Sequence, residues 1–292
     1  MLSFISNIIS GLSLGSIYAL IALGYTMVYG IAKMLNFAHG DIIMVGAYTV
    51  LITITTLNFP PIVGVLAGVV MCVLLGVTIE RVAYKPLRKA SPLSVLITAI
   101  GVSYLLQNVA LLLFGSTKRS FPSFINVPAV RIGALTIKGE SLVTLLITMV
   151  IMIALTVFIN KSKTGKAMRA VSEDKDAAEL RGINVNRTIS ITFAIGSALA
   201  AVAGIFYGAT YIYVGPDTGS MPGIKAFVAA VFGGIGSIPG AMLGGILLGL
   251  IENLAKAYIS TELSDAIVFA VLIVVLIVKP TGLLGKKISE KV

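Results

Sequence analysis

Residues 42–79 read IIMVGAYTVLITITTLNFPPIVGVLAGVVMCVLLGVTI, 38 residues without a charged side chain. A helix that crosses a membrane needs about 20 apolar residues. This run is too long for one such helix, and Asn58-Phe59-Pro60-Pro61 interrupts it midway. Proline cannot donate to a helix ladder, and the residue before it avoids helical dihedrals. The stretch therefore predicts two spans, 41–57 and 61–79, joined by a tight turn.

Working outward, the same pattern recurs. No charge occurs in Met1–Ala32, Ala90–Thr117, Ser141–Asn160, Thr188–Pro216, Ala226–Ile251 or Ala266–Val278. These runs predict further spans near 7–29, 92–114, 141–160, 189–211, 239–257 and 264–279. The first run has no basic residue before its apolar core, so it reads as a span and not as a secretory signal. Composition agrees: 57% of the 292 residues are apolar, 12% are charged and the mean hydropathy is +1.02. Soluble domains are about 25% charged, and one soluble core of this size cannot hide so much apolar surface. A water-soluble globule, a disordered chain and a collagen-like chain are excluded. The expected fold is all-α, a polytopic helical bundle forming a single transmembrane domain over 1–292. It has about eight full spans plus one short broken or re-entrant helix.

Net charge is +10, from 22 Lys+Arg against 12 Asp+Glu. In a membrane protein such an excess sits in loops and sets orientation, so nucleic acid is not the expected partner. Lys33, four cations in Arg81–Lys89, seven in Lys161–Arg187 and four in Lys279–Lys291 fall on one side. Four in Lys118–Lys138 fall opposite, and Lys225 and Lys256 belong to neither set. The larger set predicts a cytoplasmic C-terminus, an outside N-terminus and an external loop over 115–139. Cys72 is the lone cysteine, which excludes an intrachain disulfide, a thiol metal cluster and a redox pair.

The short helix, near 225–236, runs into Gly233-Gly234-Ile235-Gly236-Ser237-Ile238-Pro239-Gly240. Broken backbone at membrane depth survives only where protein buries it or water lines it. Interrupted segments of this kind point to a transport pathway, which makes Gly233, Gly234, Gly236 and Ser237 pathway candidates. An ordinary tight turn between two spans is the alternative. Gly196, Ala200, Gly204 and Gly208 repeat every fourth residue, as do Gly236, Gly240 and Gly244, and Gly11, Gly15 and Ala19. Small stripes let helices approach closely in lipid, so they predict tight seams, either internal or between subunits.

No catalytic constellation is visible. There is one His, no HExxH, no GxSxG and no GxxxxGK[ST] loop. Asp41, Glu80 and Glu252 each read as isolated acids at span ends. No metal ligand set is expected, and the lone His39 is not read as one. The polar hexapeptide Asn36-Phe37-Ala38-His39-Gly40-Asp41 lies between two apolar runs. Ionisable groups inside a membrane are costly and usually functional. The hexapeptide is either a re-entrant segment near a gate or a plain turn with Asp41 as a helix cap. Asn36, Phe37, His39, Gly40 and Asp41 are therefore gate candidates, and Tyr104, Gln107 and Asn108 are candidate polar lining residues.

Segment 161–188 is the longest polar stretch. Ser172 can cap a short helix, with Glu173 and Asp174 in a first turn that favours anions. Lys175 and Glu179 form an i,i+4 pair. Ala177, Ala178, Leu180 and Ile183 offer a small apolar surface, Arg181 adds a charge, and Gly182 closes the helix. This is an amphipathic helix across the inner face, either docked on a partner or solvated.

Three stretches carry a family resemblance: Gly11–Gly30 continuing through Asn36–Asp41, the segment Gly165–Arg187, and Gly233–Gly240. In these the chain resembles the LivH-type permease subunits of ATP-binding-cassette importers for branched-chain amino acids. Urea and short-chain amide permeases are similar enough to be the alternative substrate class, and a self-sufficient channel or secondary transporter is the alternative of another kind. The resemblance implies a bacterial cytoplasmic (inner) membrane location and import of leucine, isoleucine and valine by alternating access. It implies a second related permease, two cytoplasmic ATPase subunits and an external substrate-binding protein as partners. ATP and Mg then belong to the ATPases, with no cofactor on this chain. It also implies that Ser172, Glu173, Asp174, Ala177, Ala178, Leu180, Arg181 and Gly182 form the helix that docks on an ATPase.

Overall fold

Proline and glycine set most helix limits in the computed structural model, which describes residues 2–132 and 135–285. Helix α1 is Leu2–Ala32, α2 is His39–Thr55, and α3 is Pro61–Ile79, opened by Pro61 in its first turn. A π-helical turn, Glu80–Tyr84, and a short 3-10 turn, Lys85–Leu87, follow α3. Pro92 likewise opens α4, Pro92–Phe114, where the Ser91 hydroxyl accepts from the Ser94 N–H. Proline is tolerated there because the first N–H groups of a helix lack intrahelical partners. Then come α5 (Gly139–Lys161), α6 (Lys163–Glu173), α7 (Lys175–Leu180), α8 (Val185–Tyr211), α9 (Ser220–Gly233), α10 (Ile238–Tyr258) and α11 (Ser264–Val278).

Six of these helices are long and apolar enough to cross a membrane: α1, α3, α4, α5, α8 and α10. The expected spans 41–57 and 264–279 correspond to α2 and α11, which have 17 and 15 residues. The expected short helix at 225–236 lies instead at Ser220–Gly233. Its start was misplaced because Lys225 reads as a border charge, whereas it is buried inside the helix. Its end falls earlier because Gly234 adopts φ +108°, which no helix accepts.

The 115–139 segment is not free of strands. Strand β1 (Arg119–Ser120) pairs antiparallel with β4 (Tyr213–Val214), and β2 (Val130–Ile132) pairs with β3 (Leu135–Ile137). Gly133 and Ala134 of that loop lie outside the described residues, as do Lys286, Lys287 and Lys291 of the basic tail.

Helix α1 is the axis of the bundle; Ile17, Ala19, Leu20, Ile21, Ala22 and Leu23 are fully buried. It runs antiparallel to α10 along a seam of small residues. Gly11 faces Leu250, Gly15 faces Ile246, Ala19 faces Gly245 and Gly30 faces Gly236. A Cβ on Gly15 would stand 2.6 Å from the Ile246 carbonyl oxygen, and one on Gly249 would overlap the Gly15 backbone. The α8 stripe is also internal. Gly196 lies against Gly24 of α1, Gly204 against the Ile43 carbonyl of α2, Gly208 against Phe121, and Ala200 is fully buried. Outward surfaces of α4, α5 and α11 are apolar, with Leu112, Leu146 and Ile277 all largely exposed. That arrangement suits a lipid or protein environment and not water.

The seam gives a sharp contrast between two glycines. Gly249→Leu forces α1 and α10 apart and should destabilise the chain by about 1–3 kcal/mol or more. Gly101, on the exposed side of α4, has nothing within 4 Å of an added Cβ. Gly101→Ala should be neutral or stabilising by up to about 1 kcal/mol. Thermal unfolding of the detergent-solubilised variants checks both, and equal midpoints for the two would contradict the seam.

Candidate functional site

At Ala32 α1 ends, and Lys33 turns the chain with φ +60°. Residues 33–36 then run as non-helical backbone. His39, at the start of α2, packs edge-on against Tyr25 with ring centroids 4.8 Å apart, and its imidazole touches Gly24. Gly24 is eight residues before the end of α1, about 12 Å along the axis. The chain therefore folds back into the bundle before α2 begins. Asn36, His39, Gly40 and Asp41 are all buried. The hexapeptide is thus re-entrant and not a plain surface turn. Asp41 does not cap α2; the residue preceding the helix is Ala38, with no side-chain cap bond.

Helix α9 begins at the same place. A Cβ on Gly40 would stand 2.6 Å from the Gly219 carbonyl oxygen, and one on Gly223 would stand 2.8 Å from the Gly40 Cα. Only glycine allows this backbone contact. The N-terminal ends of α2 and α9 thereby meet inside the bundle. There the Gln107 amide of α4 donates to Asp41 Oδ1 at 2.9 Å, Ser103 Oγ at 3.2 Å and Ser220 Oγ at 3.3 Å. Phe37, Gly40, Asp41, Tyr104 and Gln107 all line one cavity of about 260 Å³ beside this cluster. Each helix N-terminus stabilises a nearby anion by about 0.3–1 kcal/mol, up to ~2 where partly buried.

The other predicted residues go elsewhere. Asn36 accepts from the Tyr84 hydroxyl at 2.8 Å, in a buried contact that anchors the re-entrant loop to the end of α3. His39 faces α1, and its Nε2 has no hydrogen-bond partner among the described residues. Asn108 is exposed, and its amide donates to the Tyr104 carbonyl of its own turn at 2.8 Å. Gly233 ends α9, and Gly234, Gly236 and Ser237 form the turn to α10, at the level where Gly30 ends the α1 seam. Leu283 and Leu284 N–H groups donate to the Phe232 and Gly233 carbonyls at 2.9 and 2.8 Å, and Ser237 caps α10. Of these residues Gly236 lines a cavity of about 150 Å³, shared with Arg169 and Ser172.

Glu80 and Glu252 do not stand alone. Glu252 is fully buried; its Oε1 takes Lys225 at 2.8 Å and Lys256 at 2.5 Å, and its Oε2 accepts from Tyr18 at 2.9 Å. Lys225 also reaches Asp265 at 2.6 Å. Two cations and two anions thus tie α1, α9, α10 and α11 into one neutral network. Glu80, equally buried, pairs with Arg88 and accepts from Ser190 at 2.6 Å, while Arg88 also meets Asn186. Spacing held one clue to the first network, the Glu252–Lys256 pair at i,i+4 on an apolar helix. The longer-range partners have no local signal.

The 161–188 segment forms two helices where one was expected. Ser172 lies inside α6, its hydroxyl bonded to the Arg169 carbonyl, and Glu173 ends that helix. The cap of α7 is Asp174, which accepts from the Asp176 and Ala177 N–H groups at 2.9 Å. Both bonds go to one carboxylate oxygen, Oδ1. Lys175 donates to the Ala32 carbonyl at 3.0 Å, so no pair forms with Glu179. Burial holds the Lys175 ammonium below the usual lysine range, and the nearby Arg88 and Lys33 charges add to this. Ala178 is buried against the chain's own bundle. Ala177, Arg181 and Gly182 are exposed, and Leu180 is 90% exposed. Gly182 closes α7 with φ +78° as expected, its N–H donating to the Glu179 carbonyl. The free face is thus carried by Leu180 and Arg181, with Ala178 holding the helix from behind.

A bundle of long apolar helices enclosing a loop that folds back inside, a 14-residue helix and a cavity with polar and apolar lining suits a polytopic membrane protein. The model of the family of branched-chain amino acid transport system permease components matches residues 7–276, and the chain belongs to that family. It is 47% identical over 304 residues to the high-affinity branched-chain amino acid transport system permease protein LivH of Escherichia coli strain K12, and 46% identical to LivH of Salmonella typhimurium strain LT2. Both alignments cover 100% of this chain and 98% of the relative. BraD, the corresponding permease protein of Pseudomonas aeruginosa strain PAO1, is 43% identical over 301 residues, covering 99% and 98%.

The buried network yields a stability prediction. Glu252→Ala leaves Lys225 and Tyr18 without their shared acceptor inside the bundle. Tyr18 loses its acceptor and Lys225 keeps only Asp265, so the change should destabilise the chain by about 1–3 kcal/mol. Lys256→Ala, at the rim of the same network, should cost under about 1 kcal/mol. Unfolding midpoints in detergent separate the two.

Proposed function

We propose that the chain is a membrane-spanning subunit of an ATP-driven importer of leucine, isoleucine and valine. The observation that carries this is the full-length match to permease proteins of high-affinity branched-chain amino acid transport systems. The chain acts as one transmembrane domain in a bacterial inner membrane. Helices α1, α2, α3, α4, α5, α8, α10 and α11 cross it, and α9, about 21 Å long at 1.5 Å per residue, enters from the interior and leaves on one side. The N-terminus is outside and the C-terminus cytoplasmic, which puts Lys33, the 81–89 cluster and α6–α7 on the cytoplasmic face.

The chain supplies the path and its partners supply the energy. Two cytoplasmic ATPase subunits bind ATP and Mg, a second related permease completes the pathway, and an external binding protein delivers substrate. Leu180 and Arg181 on α7 form the ATPase-facing surface. Helix α7 holds the carbonyl of Ala32 through Lys175. Its movement therefore acts first on the joint between α1 and the re-entrant loop. Closure of the ATPases then switches the bundle between outward- and inward-open states.

Gentle solubilisation of the tagged chain should recover ATPase subunits and a second permease in near-equal amounts. The complex in proteoliposomes should take up leucine only with ATP, and should not take up urea. Arg181→Glu and Leu180→Glu should each lower uptake at least about tenfold, a loss of about 1.4 kcal/mol of coupling, with unchanged abundance in the membrane. Recovery of the chain alone, transporting without ATP, would make it a self-sufficient transporter and α7 an ordinary surface helix.

A further inference from the structure

Among the described residues three acidic side chains are buried in the bundle: Asp41, Glu80 and Glu252. Two of them meet a cation, Glu80 with Arg88 and Glu252 with Lys225 and Lys256. Among the described residues no Lys or Arg lies within 4.0 Å of Asp41. Its exposure is 1%, yet it borders a cavity. A carboxylate at this depth without a counter-charge is costly to keep. The Gln107 amide and the two helix ends offset part of that cost without neutralising the charge.

The cavity lining has two halves in character. Asp41, Ser103 and Ser220 converge on the single Gln107 amide and make the polar part. Phe37, Ile100 and Ile224 supply apolar surface. The cavity volume of about 260 Å³ is near the small end of ligand sites. A small molecule with an ammonium group at one end and an aliphatic group at the other complements both halves. The missing counter-charge of Asp41 is then the ligand's own.

We infer that this cavity is a way-station for the transported amino acid, with the Asp41 carboxylate receiving its α-ammonium group, the Ser220 hydroxyl at the start of α9 receiving its α-carboxylate, and Phe37, Ile100 and Ile224 taking its aliphatic side chain. The inference rests on the proposed importer function and adds the contact that the pathway makes with the substrate. Asp41 is a binding residue here. Gln107 is a positioning residue, holding the carboxylate towards the cavity.

The native cysteine, Cys72, is fully buried, so one added thiol can report on the cavity. Ile224 lines it and is partly open. The test uses the complete complex carrying Ile224→Cys, reconstituted with ATP, after confirming that it takes up leucine. Labelling of Cys at 224 by a small maleimide is timed with no addition, with leucine, with 3-methylbutylamine, and with 4-methylpentanoate. The amine keeps the ammonium and the branched chain; the acid keeps the chain and loses the ammonium. A ligand at ten times its Kd should slow labelling about tenfold. Leucine and the amine should protect, and the acid should not. Asp41→Asn, which keeps an acceptor for Gln107, should abolish protection by leucine and by the amine.

Protection by the acid equal to that by leucine would overturn the ammonium contact. So would protection that survives Asp41→Asn. No protection by leucine, in a complex that transports leucine with ATP, would overturn the site and leave the importer standing. Failure of the maleimide to reach Cys at 224 in that working complex would also overturn it, because the cavity would be closed to the pathway. A correctly assembled complex that takes up no leucine removes the importer reading and the site together.

Discussion

The backbone contact between Gly40 and Gly219 is the constraint on which the rest of the bundle depends. Helices α2 and α9 both start away from the surface, and the first N–H groups of any helix lack intrahelical partners. In lipid such groups are tolerated only where protein encloses them. Packing the two starts against each other, glycine on glycine, lets each enclose the other. The consequence is chemical. The same contact brings Asp41 from one helix and Ser220 from the other within reach of a single amide on α4. A methyl group on either glycine would push the two helix starts apart, and Asp41 and Ser220 with them.

Much of this architecture is legible in the residues one by one, and the exceptions share a cause. Pro61 and Pro92 open α3 and α4 where expected because a proline ring acts on its own turn. The stripe Gly196–Gly208 marks a seam because small size at a spacing of four is a local property of a helix. Lys225, Glu252 and Glu80 are the exceptions, because a charge in an apolar sequence reads as a border and these three are buried. In this fold each is inside, and what permits it is a partner on another helix: Asp265 lies forty residues from Lys225, and Ser190 is further still from Glu80. The β1–β4 pairing has the same character. Two-residue strands carry no pattern, and their register exists only once α8 has brought Tyr213 beside Ser120.

Within the candidate site, the hexapeptide 36–41 was recognisable because polar residues between apolar runs are rare. Which of its members face the cavity was not. Asn36, His39 and Asp41 are spaced two or three apart, so a small rotation redistributes them. The structure sends Asn36 to Tyr84, His39 to α1 and Asp41 to Gln107. In segment 161–188 the difficulty was competition between adjacent caps. Ser172 and Asp174 both suit an N-cap; α6 runs through Ser172, whose hydroxyl donates to the Arg169 carbonyl, and Asp174, just past the end of α6, takes the cap of α7.

The geometry also constrains how motion at one end can be felt in the middle. Lys175 bonds the last carbonyl of α1, and Lys33, the next residue, already has left-handed dihedrals. A non-glycine residue in that region is held there by its surroundings. Only five residues separate Lys33 from His39 and six separate it from Gly40, where α9 makes contact. Asn36, between them, is fixed to Tyr84, which follows Glu80 and its bond to Ser190 at the start of α8. The re-entrant loop is thus clamped from α7 on one side and from the α3–α8 junction on the other. In an importer driven from α7, a shift of that helix cannot be absorbed by slack in the loop. It must either break the Lys175–Ala32 bond or turn the start of α2 against α9, and only the second changes the shape of the cavity beside Asp41.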